Sequence, residues 1–321
     1  MNINPITLNN IENIKTAYEK FCTEAVKDYA FEIEPLNFDQ FILALEQQLI
    51  KGYFYQENNI SAFLIYSDCL NDAIEINLIY CDETPNKIDI KKALTSQLIN
   101  DLKSICPGRT ISYPMLGKQA DFIEDIVHLD FRLIGECIFE LEFFNSIQRM
   151  ILGKSKASIP QSPYNADMWR KEYFDAAAKI IYERFSKLND AKFDPRFQTL
   201  EGSIAVLKSI TEGDLGTFIP ELTTVVRYEN TPIGFCFVNL TTPDIANIPI
   251  FVIDRAHNHK GLGLFMLKQS TLLTLKAVQD GAITTKLINA TCDTNNYPAI
   301  HSYRRIGFKE KTNYAHAYRT V

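Results

Sequence analysis

Residues 253–267, IDRAHNHKGLGLFML, place Arg255, His257, His259 and Lys260 just ahead of Gly261 and Gly263, and no acid stands between Arg255 and Lys268. The apolar residues before this turn read as a strand, and those after it as a helix. A helix start leaves its first four N–H groups unpaired and carries roughly half a positive charge. Glycines at that point let the backbone approach a ligand closely. The run Asn258-His259-Lys260-Gly261-Leu262-Gly263 therefore reads as a pyrophosphate cradle built mainly from N–H groups, although a plain strand-to-helix turn uses the same glycines. A P-loop needs GxxxxGK followed by Ser or Thr, and no stretch fits. A dinucleotide turn needs a third glycine where Met266 stands. His257 and His259 form an HxH pair with no third ligand, so they read as loop histidines and no metal is expected.

A second constellation follows about thirty residues on: Asn296, Ala299, Tyr303, Gly307 and Phe308 in NATCDTNNYPAIHSYRRIGFKE. Pro298 suits a first helical turn and Gly307 a stop, so a short helix is expected from Pro298 to Ile306 between two strands. Ala299 and Tyr303 are four apart and share one face of it. In TNYAHAYR (312–319), Tyr314, His316 and Tyr318 fall on one side of a terminal strand, where they either line a pocket or fill the sheet core.

The elements that position these residues occur twice. Residues 54–65 and 226–237 both read strand, polar turn, strand, at an offset of 172. Strand candidates 73–81 and 247–255, helical patterns 89–105 and 264–280, and Phe131 with Phe308 follow at offsets of 174, 175 and 177. A slowly drifting offset is the mark of a duplicated unit with small loop insertions. The second copy opens with two helical patterns, at 167–188 and 202–211. Hairpins leading into a strand–helix–strand crossover give an α/β fold with a mixed sheet. The expected division is 1–150, a Ser/Lys/Pro-rich linker at 151–164, and 165–321. Shifted back by 175, the two glycines fall on Asn86 and Ile88 in CDETPNKIDI, which has no glycine and is acidic, so the first copy is expected to hold no polyphosphate.

Composition agrees. Residues 1–150 carry 12 Lys+Arg against 23 Asp+Glu, while the remainder carries 21 against 16. A basic half suits a small anionic ligand, and it lacks the dense cationic stripe of a nucleic-acid binder. No apolar run reaches the roughly 18 residues of a membrane span, and no basic-then-apolar leader opens the chain, so a cytoplasmic protein is expected. Seven scattered cysteines without a CxxC pair point to reduced thiols.

The two motifs together resemble those of the GNAT acyltransferases, the N-acetyltransferase superfamily that uses acyl-CoA. Its signature is a Q/R-x-x-G-x-G/A turn opening a helix, followed by N-x-x-A-x-x-x-Y-x-x-x-G-F. Here these are Asn258 to Gly263 and Asn296 to Phe308, within a resemblance covering roughly 165–321. Asn258 stands where the family usually has Arg or Gln. The resemblance implies two tandem GNAT-like folds, the first degenerate. It implies that acetyl-CoA or another acyl-CoA is the co-substrate, with no metal. The acceptor would be a primary amine of a small molecule or peptide that attacks directly in a ternary complex; neither nucleic acid nor membrane is a partner. By the same resemblance the strand edge at Val252 and Ile253 pairs with the pantetheine amides, and the N–H groups of Asn258, His259, Lys260, Gly261, Leu262 and Gly263 hold the pyrophosphate. Asn296 bonds the cofactor arm, and Tyr303 protonates the leaving thiolate. Many relatives carry a general base, a Glu, on the strand before the turn, and NIPIFVI has none; Glu221, Glu229, Asp244, Asp254 and His316 are the candidates. The alternative is a non-catalytic CoA-binding or partner-binding pseudoenzyme. Neither the acceptor nor the oligomeric state is readable from the chain.

Overall fold

The fold comes from a computed structural model that describes residues 1–70, 73–143 and 162–321. Strand β1 (Ile3–Pro5) precedes helices α1 (Lys15–Asp28) and α2 (Phe38–Glu46). The second starts at a capping box in which Asn37 and Gln40 each accept the other's backbone N–H. Strands β2 (Ile50–Glu57), β3 (Ile60–Leu70) and β4 (Ala73–Cys81) form an antiparallel meander. Helix α3 (Lys87–Ile105) then crosses to β5 (Thr110–Met115), which runs parallel to the start of β4. Helix α4 (Ile123–His128) and strand β6 (Arg132–Glu142) follow. Residues of α3 such as Leu94 and Leu98 pack one face of this sheet, while Tyr18, Phe21 and Phe41 of α1 and α2 pack Phe54 and Phe63 on the other.

The later part of the chain begins with β7 (Tyr164–Met168) and runs through α5 (Phe174–Phe185), α6 (Asp190–Phe193), α7 (Leu200–Glu212) and β8 (Thr217–Phe218). Strands β9 (Thr224–Tyr228), β10 (Thr231–Cys236), β11 (Asn239–Thr242), β12 (Ile245–Asn247) and β13 (Phe251–Ile253) lead into helix α8 (Leu262–Gln279). Strand β14 (Leu287–Asp293), helix α9 (Tyr297–Ile306) and β15 (Lys309–Thr320) complete it. Strand alternation sorts the packing: Val226 and Cys236 join the core that contains Met266 of α8, and Val225 and Phe235 join that of α5 and α7.

Contacts divide the chain into two compact units, Met1–Gly135 with Lys192–Pro195 and Tyr314–Val321, and Glu136–Ala191 with Arg196–Asn313. The units follow the two sequence halves except at exchanged strands and at the Lys192–Pro195 segment. Residues Glu136 to Glu142 of β6 pair with β14 in the second unit, and Ala315 to Thr320 of β15 pair with β5 in the first. Residues 151–161 of the expected linker lie outside the described residues, and Tyr164 already begins a strand. The helix expected over 167–188 starts later, at Phe174, because β7 pairs with β9 through Met168. Asp167 locks that entry by accepting from Met168 N–H, the Tyr173 hydroxyl and Arg170.

Of the seven cysteines, six are described as free thiols, four of them buried. No described helix is long and apolar enough to cross a membrane.

Candidate functional site

The second unit contains a split sheet. Strand β12 runs parallel to β14, from Ile245 opposite Leu287 to Asn247 opposite Asn289, and Ile248 N–H still reaches Asn289 O at 2.9 Å. Pro249 comes next, with no N–H to continue the ladder. Beyond it β13 pairs with β10 instead, Phe251 opposite Cys236 and Ile253 opposite Gly234. Strand β13 is the edge of its own four-stranded sheet, so its far side offers unpaired N–H and C=O groups. Between the diverging strands lies a cavity of about 680 Å³.

The turn after β13 closes one end of the split. Asp254 caps a short 3-10 turn, Arg255–His257, by accepting from Ala256 N–H. His259 and Gly261 then take positive φ, 61° and 76°, and Leu262 opens α8. A Cβ on Gly261 would meet nothing within 4 Å, whereas one on Gly263 would press on the Phe251 ring at 3.3 Å. The first helical N–H with an intrahelical acceptor is that of Phe265, bonded to Gly261 O. The N–H groups from His259 to Leu264 have no partner among the described residues, while that of Asn258 reaches Arg255 O at 3.3 Å. The Lys260 side chain leans away, with Nζ 2.7 Å from the Tyr164 hydroxyl, which also lies 3.1 Å from His257 Nδ1.

Helix α9 closes the other end. Asn296 Oδ1 accepts from Ala299 N–H, Pro298 occupies the first turn, and Gly307 ends the helix at φ 107°. The Asn296 amide NH2 has no partner among the described residues and is left for a ligand. Tyr303 is buried, its ring 5.1 Å from that of Phe139 and 5.4 Å from that of Phe308. Burial, aided by Cys292, Cys236 and Asp190, holds its hydroxyl well above the usual tyrosine range, so it stays protonated.

Val252, Ile253, Asn258, His259, Gly261, Leu262, Gly263, Asn296 and Tyr303 all line the cavity. Lys260 does not line it. The carboxylates named as base candidates do not line it: Asp254 is a cap, Asp244 pairs with Lys286, Glu229 is a positive-φ turn residue and Glu221 sits in a 3-10 turn. His316 belongs to the first unit, where Nε2 lies 2.7 Å from Ser112 Oγ and the ring stacks on Phe193; burial pushes its pKa down to about 3. Two acids absent from that set, Asp190 and Asp293, do line the cavity. Opposite Asp293 on β6 is Glu136, only 3% exposed. Its sequence context, Glu136-x-Ile138-x-Glu140, alternates like an ordinary solvated strand face, so only burial distinguishes it.

Residues 183–308 match the family model described as acetyltransferase (GNAT) family. The chain carries a GNAT domain. That domain spans the split, the glycine turn and α9, and its fold supports acyl-CoA-dependent acyl transfer. Solved structures agree on the tandem GNAT fold. A tandem GNAT protein from the clavulanic acid biosynthesis pathway is 11% identical, with TM-score 0.61 over 99% of this chain and 98% of that one. A GCN5-related N-acetyltransferase from Sphaerobacter thermophilus is 13% identical, with TM-score 0.64 over 99% and 95%. A glucosamine N-acetyltransferase region of a fungal multi-domain GH3 β-N-acetylglucosaminidase is 12% identical, with TM-score 0.62 over 99% of this chain and 38% of that one. No curated protein matches the sequence.

Proposed function

We propose that the GNAT domain binds acetyl-CoA in the split and transfers its acetyl group to a primary amine of a small molecule or peptide, by direct attack in a ternary complex. The observation that carries this reading is the row of unpartnered N–H groups from His259 to Leu264, in a turn whose residues other than Lys260 line a cavity that also borders a free strand edge. Those amides suit a pyrophosphate, the edge of β13 suits the amides of a pantetheine arm, and the Asn296 NH2 is placed beside the same cavity. Bound acetyl-CoA supplies an acyl group activated as a thioester. Tyr303, held protonated, gives its proton to sulfur as the C–S bond breaks. Free thiols in both units suit a reducing compartment, and we place the protein in the cytoplasm.

Calorimetry with acetyl-CoA, followed by transfer assays on a panel of primary amines, tests this. Tyr303→Phe is expected to lower kcat by about 10²-fold with acetyl-CoA affinity nearly unchanged. Tight binding without turnover of any amine would instead indicate a CoA-binding pseudoenzyme. Failure to bind acetyl-CoA would overturn the reading.

A further inference from the structure

Three carboxylates meet beside the cavity in the second unit: Glu136 on β6, Asp293 directly opposite on β14, and Asp190 at the start of α6. Residues opposite one another in an antiparallel pair have Cβ atoms about 4.5–5.5 Å apart on the same face. Asp293 and Asp190 line the cavity; Glu136 does not line it itself but stands directly beside Asp293 in the β6–β14 ladder. Glu136 is 3% exposed and has no hydrogen-bond or ion-pair partner among the described residues. The next acid on that face, Glu140, is paired with Lys311 at 3.2 Å. A buried, unpaired acid costs stability wherever it is ionised, and in a purely structural strand an apolar residue would serve better.

The sheet separates this group from the proposed acid. Cys137 and Phe139 of β6 pack with Cys292 and Tyr303 in the core beneath α8 and α9. Alternation therefore places Glu136 and Asp293 on the opposite face. Asp293 accepts at both oxygens, from the Asn295 N–H at 2.7 Å and from the Asn189 side chain, whereas Glu136 has no such partner among the described residues.

We infer that the Glu136 carboxylate receives the ammonium group of the acceptor and takes its proton, and that the neighbouring carboxylates make the site selective for cationic acceptors. The inference rests on the acyl-transfer reading above. Glu136 removes one proton from R–NH3⁺ and passes it to solvent. The freed nitrogen lone pair bonds to the thioester carbonyl carbon, the C–S bond breaks, and its electron pair stays on sulfur. Tyr303 protonates the thiolate, and the second proton lost from nitrogen restores the tyrosine. Burial first, then repulsion by Asp190 and Asp293, raises the Glu136 pKa to about 8. These are the charged groups that face it, and an arriving ammonium offsets both effects, so cation binding and ionisation of the base go together.

The test compares wild type, Glu136→Gln and Glu136→Asp with acetyl-CoA and two primary amines, strongly basic putrescine and weakly basic aminoacetonitrile, across pH 6–9. Wild-type kcat/KM for putrescine is expected to rise with pH and level off above about 8. Glu136→Gln should lose about 10²-fold or more with putrescine and only a few-fold with aminoacetonitrile, which reaches the site already neutral. Glu136→Asp should recover part of the loss, and calorimetric affinity for acetyl-CoA should match wild type in both variants. Equal losses with the two amines, no loss, or a loss of acetyl-CoA affinity would overturn the assignment while leaving acyl transfer standing. A wild type that transfers to neither these nor any other amine of the panel would remove the acyl-transfer reading and this inference with it.

Discussion

Both units contain a parallel strand pair that parts, and the two gaps are lined differently. In the first unit, β4 and β5 run together only from Ala73 opposite Thr110 to Glu75 opposite Ser112, while the other side of β5 pairs with the last strand along its whole length, Thr110 to Met115. The gap is stoppered by Gln119, which is fully buried. Its Oε1 accepts from Ile79 N–H at 3.2 Å and from the Tyr113 hydroxyl at 2.8 Å. The strand edge that stands free in β13 is thus satisfied here from within the unit. The helix starts differ likewise. At α8 the turn presents free amides and two glycines; at α3, Lys87 and buried Lys91 converge on Asp121, which supplies the negative charge itself. The same supersecondary plan therefore leaves a cavity or a packed core according to which residues fill the split.

The largest effect is expected from filling the open gap. A leucine at position 263 would have to displace the Phe251 ring and would cover the amides of the turn. Losing two or three hydrogen bonds to a charged group costs roughly 1.5–3 kcal/mol each, so Gly263→Leu should weaken acetyl-CoA by at least about 100-fold in calorimetry. Unchanged affinity would show that the turn is not the pyrophosphate site. The converse experiment opens the closed gap. Gln119→Ala leaves Ile79 N–H and the Tyr113 hydroxyl unpaired in the core, a loss of about 2–4 kcal/mol in denaturant titration. It should not confer acetyl-CoA binding, because the α3 turn keeps its lysine–carboxylate cluster.

The two units also answer pH in opposite directions. His316 in the first unit has its pKa lowered from 6.5 to about 3. Above pH 6.5 it is neutral both folded and unfolded. As pH falls from 6.5 towards 3 only the unfolded chain takes up the proton, so stability falls by about 1.4 kcal/mol per pH unit. Glu136 in the second unit is raised from 4.5 to about 8. Between those values the folded state holds a proton that the unfolded chain has released, so stability falls as pH rises. Melting curves from pH 5 to 9 should show the acid-side loss diminished in His316→Gln and the alkaline-side loss diminished in Glu136→Gln. If both variants followed the wild-type curve, neither group would be buried as described.

How much of this was legible follows from where each signal lives. The glycine turn and α9 are written in backbone chemistry, glycines at Gly261 and Gly307 and a proline at Pro298, and such signals act locally. The hairpin turns at Asn58 and Glu229 were visible for the same reason, since both positions take positive φ. Pro249 was also in plain view, but that it sends one half of a strand to β14 and the other to β10 depends on partners far away in sequence. The exchange of β6 and β15 between units is a long-range pairing that no local period encodes. Glu136 escaped because alternation predicts a face without saying what covers it.

The smallest effect separates the two roles of Asn296. As a cap it satisfies Ala299 N–H, and Asn296→Ala should cost about 1 kcal/mol of stability. Asn296→Asp keeps the accepting oxygen and so keeps the cap, but replaces the NH2 facing the cavity with a carboxylate. If that NH2 donates to the cofactor arm, the aspartate variant should melt near wild type and yet bind acetyl-CoA about 10-fold more weakly, the loss of one hydrogen bond together with repulsion of the anionic ligand. Equal affinity for wild type and the aspartate variant would leave Asn296 a helix cap only, and the recognition of acetyl-CoA would then rest on the turn and the β13 edge.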